Sequence, residues 1–531
     1  MKISKNWLEE LVDLNTEELI RLLPLRTIAL KEVTEDYIEL DMKGYNRADL
    51  LSLRGVAFET AAITGSKVKF KDKESSFPEL DKVDVEITDE NLCPVYCVAK
   101  IENLKVGDSD ATWVKKLNDS GIRSVNNIAD VTNLTMLEYG QPLHAFDANT
   151  LKSEKIIVRS AKTDEEIVTL DNKKRKLKPA DLLIADPEKA LGIAGVMGGK
   201  NSEVSGSTTS ILLEAAIFDP INLRNTVTRL GLQSEAGKRF QHGLTKKRLL
   251  QAFDAAIKMY ENLGGKVTAI TLTGNLKDKE KTIKLSREKV NSLIGIDIPS
   301  EEVKSSLQKL GFAVKDWEVT VPYFRLDVNI EEDVIEEIAR MHGYEKIPAK
   351  PLGNNVPTAI QNPIFDLIEK LKQALVDLGL TEVQTYSYYS TKVIKNFKLE
   401  IKNLVRIANP MSAETEYLRK HLWPNLLEVT AKNIRQGYKD IAIFEIGKVY
   451  YPKEEYHLSI ALLNGTDNPI QELNRICQSA HLEGGFVATP GEYFHPTRRT
   501  NGMAEIHPRF VNKFGIEQRV AVLEIGLNKL L

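Results

Sequence analysis

The chain has 531 residues, which at roughly 150 residues per domain implies three or four domains. Hydrophobic residues make up 42% and charged residues 28%, the balance of an ordinary water-soluble globular protein with apolar material for several cores. The 72 basic and 75 acidic side chains leave a formal charge of -3, which disfavours DNA packaging and confines any nucleic-acid contact to local basic patches. From the N-terminus, NWLEELVDLNTEELIRLL places Trp7, Leu8, Leu11, Leu14, Leu19 and Leu22 at roughly helical spacing, with a break near Asn15 and Thr16. Thr16 followed by Glu17 and Glu18 predicts an N-cap there. A second amphipathic segment follows in NRADLLSLRGVAFETAAITG. The charged, weakly periodic residues 65–82 read as a linker or exposed loop.

From about 85 to 275, short strands such as KIIVRSA, EEIVTL and DLLIAD alternate with turns, and the helical run LLQAFDAAIKMYENLGG ends at a double glycine. The basic stretch LDNKKRKLKPADLLIAD reads as a solvated hairpin turn rather than an RNA patch. Residues 281–348 carry two short helices opened by Ser286 and Ser300, then strands and a further helix, a pattern like a winged helix. The Pro-rich residues 347–363 read as a linker. Beyond them FDLIEKLKQALVDLGL is an amphipathic helix, and TEVQTYSYYS, DIAIFEIGKVYY and QRVAVLEIGL predict a helix-backed antiparallel sheet. The three cysteines, Cys93, Cys97 and Cys477, cannot make a disulfide framework and imply a reducing compartment. Cys93 and Cys97 lack a second ligand pair for zinc. No apolar run reaches the ~18 residues of a membrane span, and Glu9, Glu10 and Asp13 break any signal-peptide pattern. A cytoplasmic protein without membrane contact is expected.

Two constellations can carry chemistry. Asp333, Glu336 and Glu337 fall at i, i+3 and i+4 of one helix, and with Asp327 before it they suit a hard cation such as Mg2+. The alternative is that acids in a first helical turn favour the helix dipole and that Arg340 pairs with Glu336 or Glu337. The second constellation comprises His144 in GQPLHAFD, Gly198 in IAGVMGG, Glu214 in ILLEAAIFDP and Ser234 in LGLQSEAGKRFQHG. Polar groups in such apolar runs must find partners if buried, and the glycines permit close approach of backbone to a ligand without the spacing of a phosphate loop. A strand-end Glu214 facing solvent is equally compatible with the sequence. No G-x-S-x-G elbow supports a nucleophilic serine.

The ordered segments MKISKNWLEELV, NRADLLSLRGVAFETAAITG, SVNNIADVTNLTMLEYGQPLHAFD, GIAGVMGG, LLEAAIFDP, RLDVNIEEDVIEEIARMHGYEKIP and IANPMSAETEYLRKHLWPNLLE resemble the bacterial-type phenylalanyl-tRNA synthetase beta subunits from residue 1 to near 531. The resemblance implies an α+β multidomain chain: an N-terminal segment (1–82), a mixed α/β editing domain (83–278), a winged-helix-like domain with the acidic helix (279–348), and a class II synthetase-like antiparallel sheet that has lost its chemistry (349–531). It implies Mg2+ on Asp327, Asp333, Glu336 and Glu337 in a site shared with the alpha subunit. It also implies ATP used by the complex, an α2β2 assembly and binding of phenylalanine tRNA. In the editing domain Glu214 would accept from the hydroxyl of a mischarged tyrosine, His144 would position substrate or water, and Gly198 and Ala236 would shape the cavity. Ser234 stands where the family usually has threonine. Such a second site is needed because an apolar pocket rejects an analogue with an added hydroxyl only ~100-fold. The adenylating arginine segment is absent, and PGEYFHPTRRTNGMAEIHP does not replace it. Against longer relatives, the resemblance implies that the inserted OB-type domain and the C-terminal anticodon-binding domain are missing; a reduced natural form or a truncated C-terminus is expected, and the missing internal insertion, which truncation at one end cannot delete, favours the former. The competing expectations are a free-standing hydrolase of mischarged tRNA and a structural RNA-binding protein.

Overall fold

The protein is described by a computed structural model covering residues 1–351, 360–397, 399, 401–450, 453–463, 468–482, 493–494 and 502–530. It divides into two units, Met1–Pro351 and Leu352–Leu531, of mixed α+β structure. The first unit opens with a three-stranded antiparallel sheet in which Tyr37–Leu40 lies between Lys2–Ser4 and Leu30–Val33. Helices Lys5–Leu11, Thr16–Arg26 and Leu53–Thr64 bury Trp7, Leu8, Leu11, Leu19 and Val56 in one core. The second helix is capped by the Asn15 side chain, which accepts from the Glu18 amide. Thr16 is already the first helical residue, so the cap lies one place earlier than the pattern predicted; both side chains can cap, and Asn is the stronger. Residues 65–82 form no helix and are tied to other segments by isolated bridges, by backbone bonds of Lys67 and Lys69 to the end of the first helix, and by contacts of Phe70, Asp72, Lys73 and Phe77.

Two sheets build the middle of this unit. In the four-stranded antiparallel sheet the order is Lys266–Gly274, Val95–Glu102, Ile211–Ile217, Leu143–Asp147. The five-stranded sheet runs Met197–Gly198, Ala190–Ile193, Leu182–Ala185, Lys155–Ser160, Asp84–Ile87, its last pair parallel. Because side chains alternate across a strand, the four-stranded sheet has two buried faces. Val95, Cys97, Ala99, Ile211, Leu213 and Ala215 pack with Leu249, Phe253, Ala256 and Tyr260 of helix Lys246–Asn262. Tyr96, Val98, Phe146, Leu212 and Ala216 face the other way, into a core shared with Ile156, Val158, Leu182 and Ile193 of the second sheet. The basic run forms a hairpin: Glu166–Val168 pairs with Lys174–Lys176, and Lys174 and Lys176 bridge to Glu166 and Asp164.

Residues 281–348 add a three-stranded sheet, with Glu318–Val321 between Lys281–Lys284 and Ala313–Lys315. Helices Arg287–Ile294, Ser300–Lys309 and Glu331–His342 cover it through Val290, Val303, Leu307, Val334 and Ile338.

The second unit is a six-stranded sheet in the order Thr381–Glu382, Ile441–Tyr450, Glu454–Leu463, Ala521–Gly526, Gly502–Ile506, Tyr493–Phe494. Its four central strands are antiparallel as predicted, but both edge strands pair in parallel. A parallel neighbour needs a long crossover, and 58 residues separate Glu382 from Ile441, helix Trp423–Arg435 among them. That helix packs on one sheet face, with Ile443, Ala461 and Val522. Helices Pro363–Asp377 and Pro469–Ser479 cover the other through Phe444, Ile460 and Leu523. Of the predicted strand TEVQTYSYYS, only Thr381–Glu382 and Tyr388–Tyr389 are extended. Residues 352–359 of the Pro-rich linker and most of PGEYFHPTRRTNGMAEIHP lie outside the described residues.

Candidate active site

The strand register places two polar side chains in the apolar layer between the sheets of the first unit. Glu214 pairs directly with His144 on one neighbouring strand and with Val98 on the other, so all three share the face that looks toward the second sheet. There Glu214 and His144 line a cavity of about 80 Å³ whose walls include Gly192, Gly195, Met197, Gly198, Ala236 and Phe240. Four of the five residues expected from the sequence, His144, Gly198, Glu214 and Ala236, therefore meet at one place. The exposed strand-end alternative for Glu214 does not hold, because its side chain is buried. Ser234 does not line the cavity. Its hydroxyl accepts from the Gly237 amide at 2.9 Å, capping helix Glu235–His242, and donates to the Val196 carbonyl at 3.2 Å. It thus fixes the helix that delivers Ala236 and Phe240.

Burial dominates the electrostatics. It pushes the Glu214 carboxyl up to about 7, even though the Tyr96 hydroxyl, donating to Oε2 at 2.7 Å, favours the ionised form. Burial also pulls His144 down to about 4, so its imidazole is neutral at physiological pH. The ring packs edge-on to Phe146, with centroids 4.5 Å apart, and among the described residues it makes no hydrogen bond, leaving both nitrogens for a ligand or water. Gly198 owes its identity to this ring. A Cβ there would lie 2.7 Å from both Cε1 and Nε2 of His144. Gly198→Ala is therefore expected to displace the imidazole, with a stability loss of ~1–3 kcal/mol, measured by urea unfolding. An alanine variant with wild-type stability would refute the contact's importance.

Tyr96 was not among the sequence candidates. An aromatic residue in an apolar strand reads as core; the one available signal was a hydroxyl with no polar neighbour in LCPVYCVAKI.

The acidic constellation takes a different form. Asp327, Asp333, Glu336 and Glu337 all line one groove of about 560 Å³ together with Arg26, Arg47, Arg325, Arg340 and Tyr344. Arg325 binds Asp327 through Nε and Nη2, and it and Arg340 both bind Glu337. Asp333 Oδ2 accepts from the amides of Asn329 and Ile330 at 2.7 and 3.0 Å, holding the helix start. Glu336 is exposed. Glu337 thus takes the pairing with Arg340 that the sequence left open. Among the described residues no three His, Cys, Asp or Glu side chains converge closely enough to hold a metal ion, so the donors as arranged within this chain do not fit a resident cation.

In the second unit, Glu445, Ser459 and Glu524 lie in register across three strands. Glu445 pairs with Arg419, and Glu524 accepts from His421, His457 and the amides of Leu422 and Trp423. Burial opposes ionisation of Glu524, but the two histidines outweigh it and hold the carboxyl down to about 2.

Residues 92–265, which form the two-sheet region and its cavity, match the B3/4 domain, residues 283–344 the tRNA synthetase B5 domain, and residues 347–527 the phenylalanyl tRNA synthetase beta chain CLM domain. The arrangement defines a component of an aminoacyl-tRNA synthetase. The phenylalanine--tRNA ligase beta subunit of Staphylococcus haemolyticus is 34% identical, with 94% of this chain and 67% of that one covered. The beta subunit of Geobacter metallireducens is 34% identical over 91% and 66%, and that of Halalkalibacterium halodurans 39% identical over 79% and 53%. The chain belongs to the phenylalanine--tRNA ligase beta subunit family. It spans about half to two thirds of the length of these relatives. No described helix is long and apolar enough to cross a membrane.

Proposed function

We propose that this chain is the non-adenylating beta subunit of a cytoplasmic phenylalanine--tRNA ligase, supporting attachment of phenylalanine to its tRNA by an alpha subunit in an α2β2 complex, and that its cavity hydrolyses tyrosine wrongly joined to that tRNA. The observation that carries the editing role is the opposition of Glu214 and His144 across one sheet inside a small, mostly apolar cavity. An ionised Glu214 accepts a hydrogen bond from the phenol of a tyrosyl ester. A phenylalanyl ester, lacking the donor, leaves the buried carboxylate unpaired, and that asymmetry rejects the correct product. Neutral His144 holds an ester oxygen or a water by hydrogen bonding. The absence of side chains at Gly195 and Gly198 makes room for Leu223, Phe218 and Phe240 and for the His144 ring beside the cavity. The 279–348 segment fits a winged-helix-like domain, and the second unit fits a class II-type sheet. Its buried charged groups partner one another, in keeping with a scaffold rather than an adenylating centre. Mg2+ and ATP belong in this reading to the assembled complex, and no step here depends on them.

The test is deacylation of phenylalanine tRNA carrying tyrosine or phenylalanine by the full chain, alone and with its alpha partner. Preferential release of tyrosine is expected. Equal rates for the two esters, or none, would overturn the editing role, and failure of the chain to raise charging by the alpha subunit would overturn the ligase role.

A further inference from the structure

Tyr96 is fully buried, and among the described residues its hydroxyl has one partner, Oε2 of Glu214. The register explains the contact. Tyr96 pairs with Ala216 and Val98 with Glu214, so Tyr96 and Glu214 are diagonal neighbours on one face, a separation that an aromatic side chain spans. The bond occupies one carboxylate oxygen; Oε1 has no hydrogen bond among the described residues, and Glu214 lines the cavity. We propose that Tyr96 is a positioning residue that clamps Oε2 of Glu214 and so presents Oε1, as an oriented acceptor, to a phenolic hydroxyl in the cavity. The proposal deepens the editing reading and rests on it for the identity of the ligand.

Two features support the assignment. A carboxylate on a flexible side chain loses acceptor strength if it can rotate to satisfy itself elsewhere; Tyr96 removes that freedom from a group surrounded by Leu143, Ile193 and Phe240. The same bond stabilises the ionised form against burial, which raises the carboxyl to about 7. The other titratable groups facing Glu214 are silent in the relevant range. His144 titrates near 4, the Cys93 thiol and the Tyr96 phenol are pushed up by burial and by Glu214, and the remaining walls supply only apolar side chains and glycines.

The experiment compares wild-type, Tyr96→Phe, Glu214→Ala and a protein carrying 3-fluorotyrosine at position 96, each as the full chain with its alpha partner. Hydrolysis of tyrosyl phenylalanine tRNA is followed from pH 6 to 8.5 after subtraction of spontaneous hydrolysis. Loss of the donor in Tyr96→Phe should lower the rate about tenfold at pH 7 and move the midpoint of its rise upward by about one pH unit. The rate should largely recover at pH 8.5. The fluorinated phenol, a stronger donor, should move the midpoint the other way. Urea unfolding of the same proteins across this range reads the ionisation of Glu214 without tRNA. Opposite shifts of the two variants in both measurements are the expected result. Hydrolysis unaffected by Glu214→Ala would sink the editing reading, whereas midpoints and unfolding profiles that stay at the wild-type pH in both Tyr96 variants would overturn the role given to Tyr96.

Discussion

At pH 8 a Glu214→Gln variant is expected to be more stable than the wild type by about 3 kcal/mol and yet to hydrolyse the tyrosyl ester roughly a hundredfold more slowly. Both effects have one cause. In the folded state burial keeps the Glu214 proton on up to about 7, whereas an ordinary glutamate releases it near 4.5. Between those values the folded chain binds more protons than the unfolded one, so stability falls as pH rises through the window. It is fully present below pH 4.5 and lost above pH 7. Glutamine has the same shape and no such slope, but it offers the cavity an amide in place of an anionic acceptor. Urea unfolding followed by Trp7, Trp113 and Trp317 of the first unit, at pH 5 and pH 8, reads the difference directly. A wild type with the same slope as the glutamine variant would show that Glu214 ionises normally, and the stored electrostatic cost would have to be abandoned.

The second large effect lies in the acidic groove. Arg340→Ala is expected to destabilise the first unit by about 3–5 kcal/mol. Arg340 donates to Glu337 at 2.9 and 2.6 Å, to Glu59 and to the Arg26 carbonyl, so one guanidinium joins helix Glu331–His342 to the N-terminal segment. Removing it leaves two buried carboxylates short of a partner, though Arg47 still reaches Glu59 and Arg325 still reaches Glu337. Burial opposes ionisation of these acids, and the arginines overcome it. Asp49 is held down to about 2 beside Arg47, and Glu59 and Glu337 also lie below the usual carboxylate range. Depressed carboxyls contribute stability above pH 4.5 that is lost as pH falls through their folded values. The wild type should accordingly lose more stability between pH 5 and 3 than Arg340→Ala does. A cycle pairing Arg340→Ala with Glu337→Ala should give a double-variant cost below the sum of the single costs; strict additivity would place the two side chains in separate networks.

How much of this was legible in the sequence depends on the residue. Glu214 and His144 stood out because each interrupts an apolar run, but that pattern left a solvent-facing Glu214 equally open, and only the structure shows Glu214 buried and His144 half-buried. Their opposition across a strand pair did not stand out, since register is set by partners far away in the chain. Tyr96 was hidden for the opposite reason: in the stretch Val95–Ala99, buried on both faces, no position is charged, and alternation carries no signal. Ser234 was legible as a polar residue near the cavity but not as a helix cap, a role that needs the turn to be seen. The acids of Glu331–His342 were read correctly as sharing a neighbourhood. What was missed is Arg325, whose side chain turns back from just before the helix to bind Asp327 and Glu337. The parallel edges of the six-stranded sheet were likewise beyond reach, because nothing within a two-residue strand states its direction.

The two-faced strand Val95–Glu102 has a practical consequence for altering this protein. Its Tyr96 and Val98 side chains face the cavity side and Val95, Cys97, Ala99 and Ile101 the helix, so the sheet insulates ligand choice from scaffold integrity. Under the proposed editing role, exchanging Tyr96, His144 and Glu214 together would retune which ester is admitted while Cys97, Ala99 and Leu213 stay as they are. Deleting one residue between Val95 and Glu102 would do the reverse of such a redesign. It would turn Cys97 toward the ligand and Tyr96 toward the helix, and a single missing codon would cost more than three deliberate substitutions.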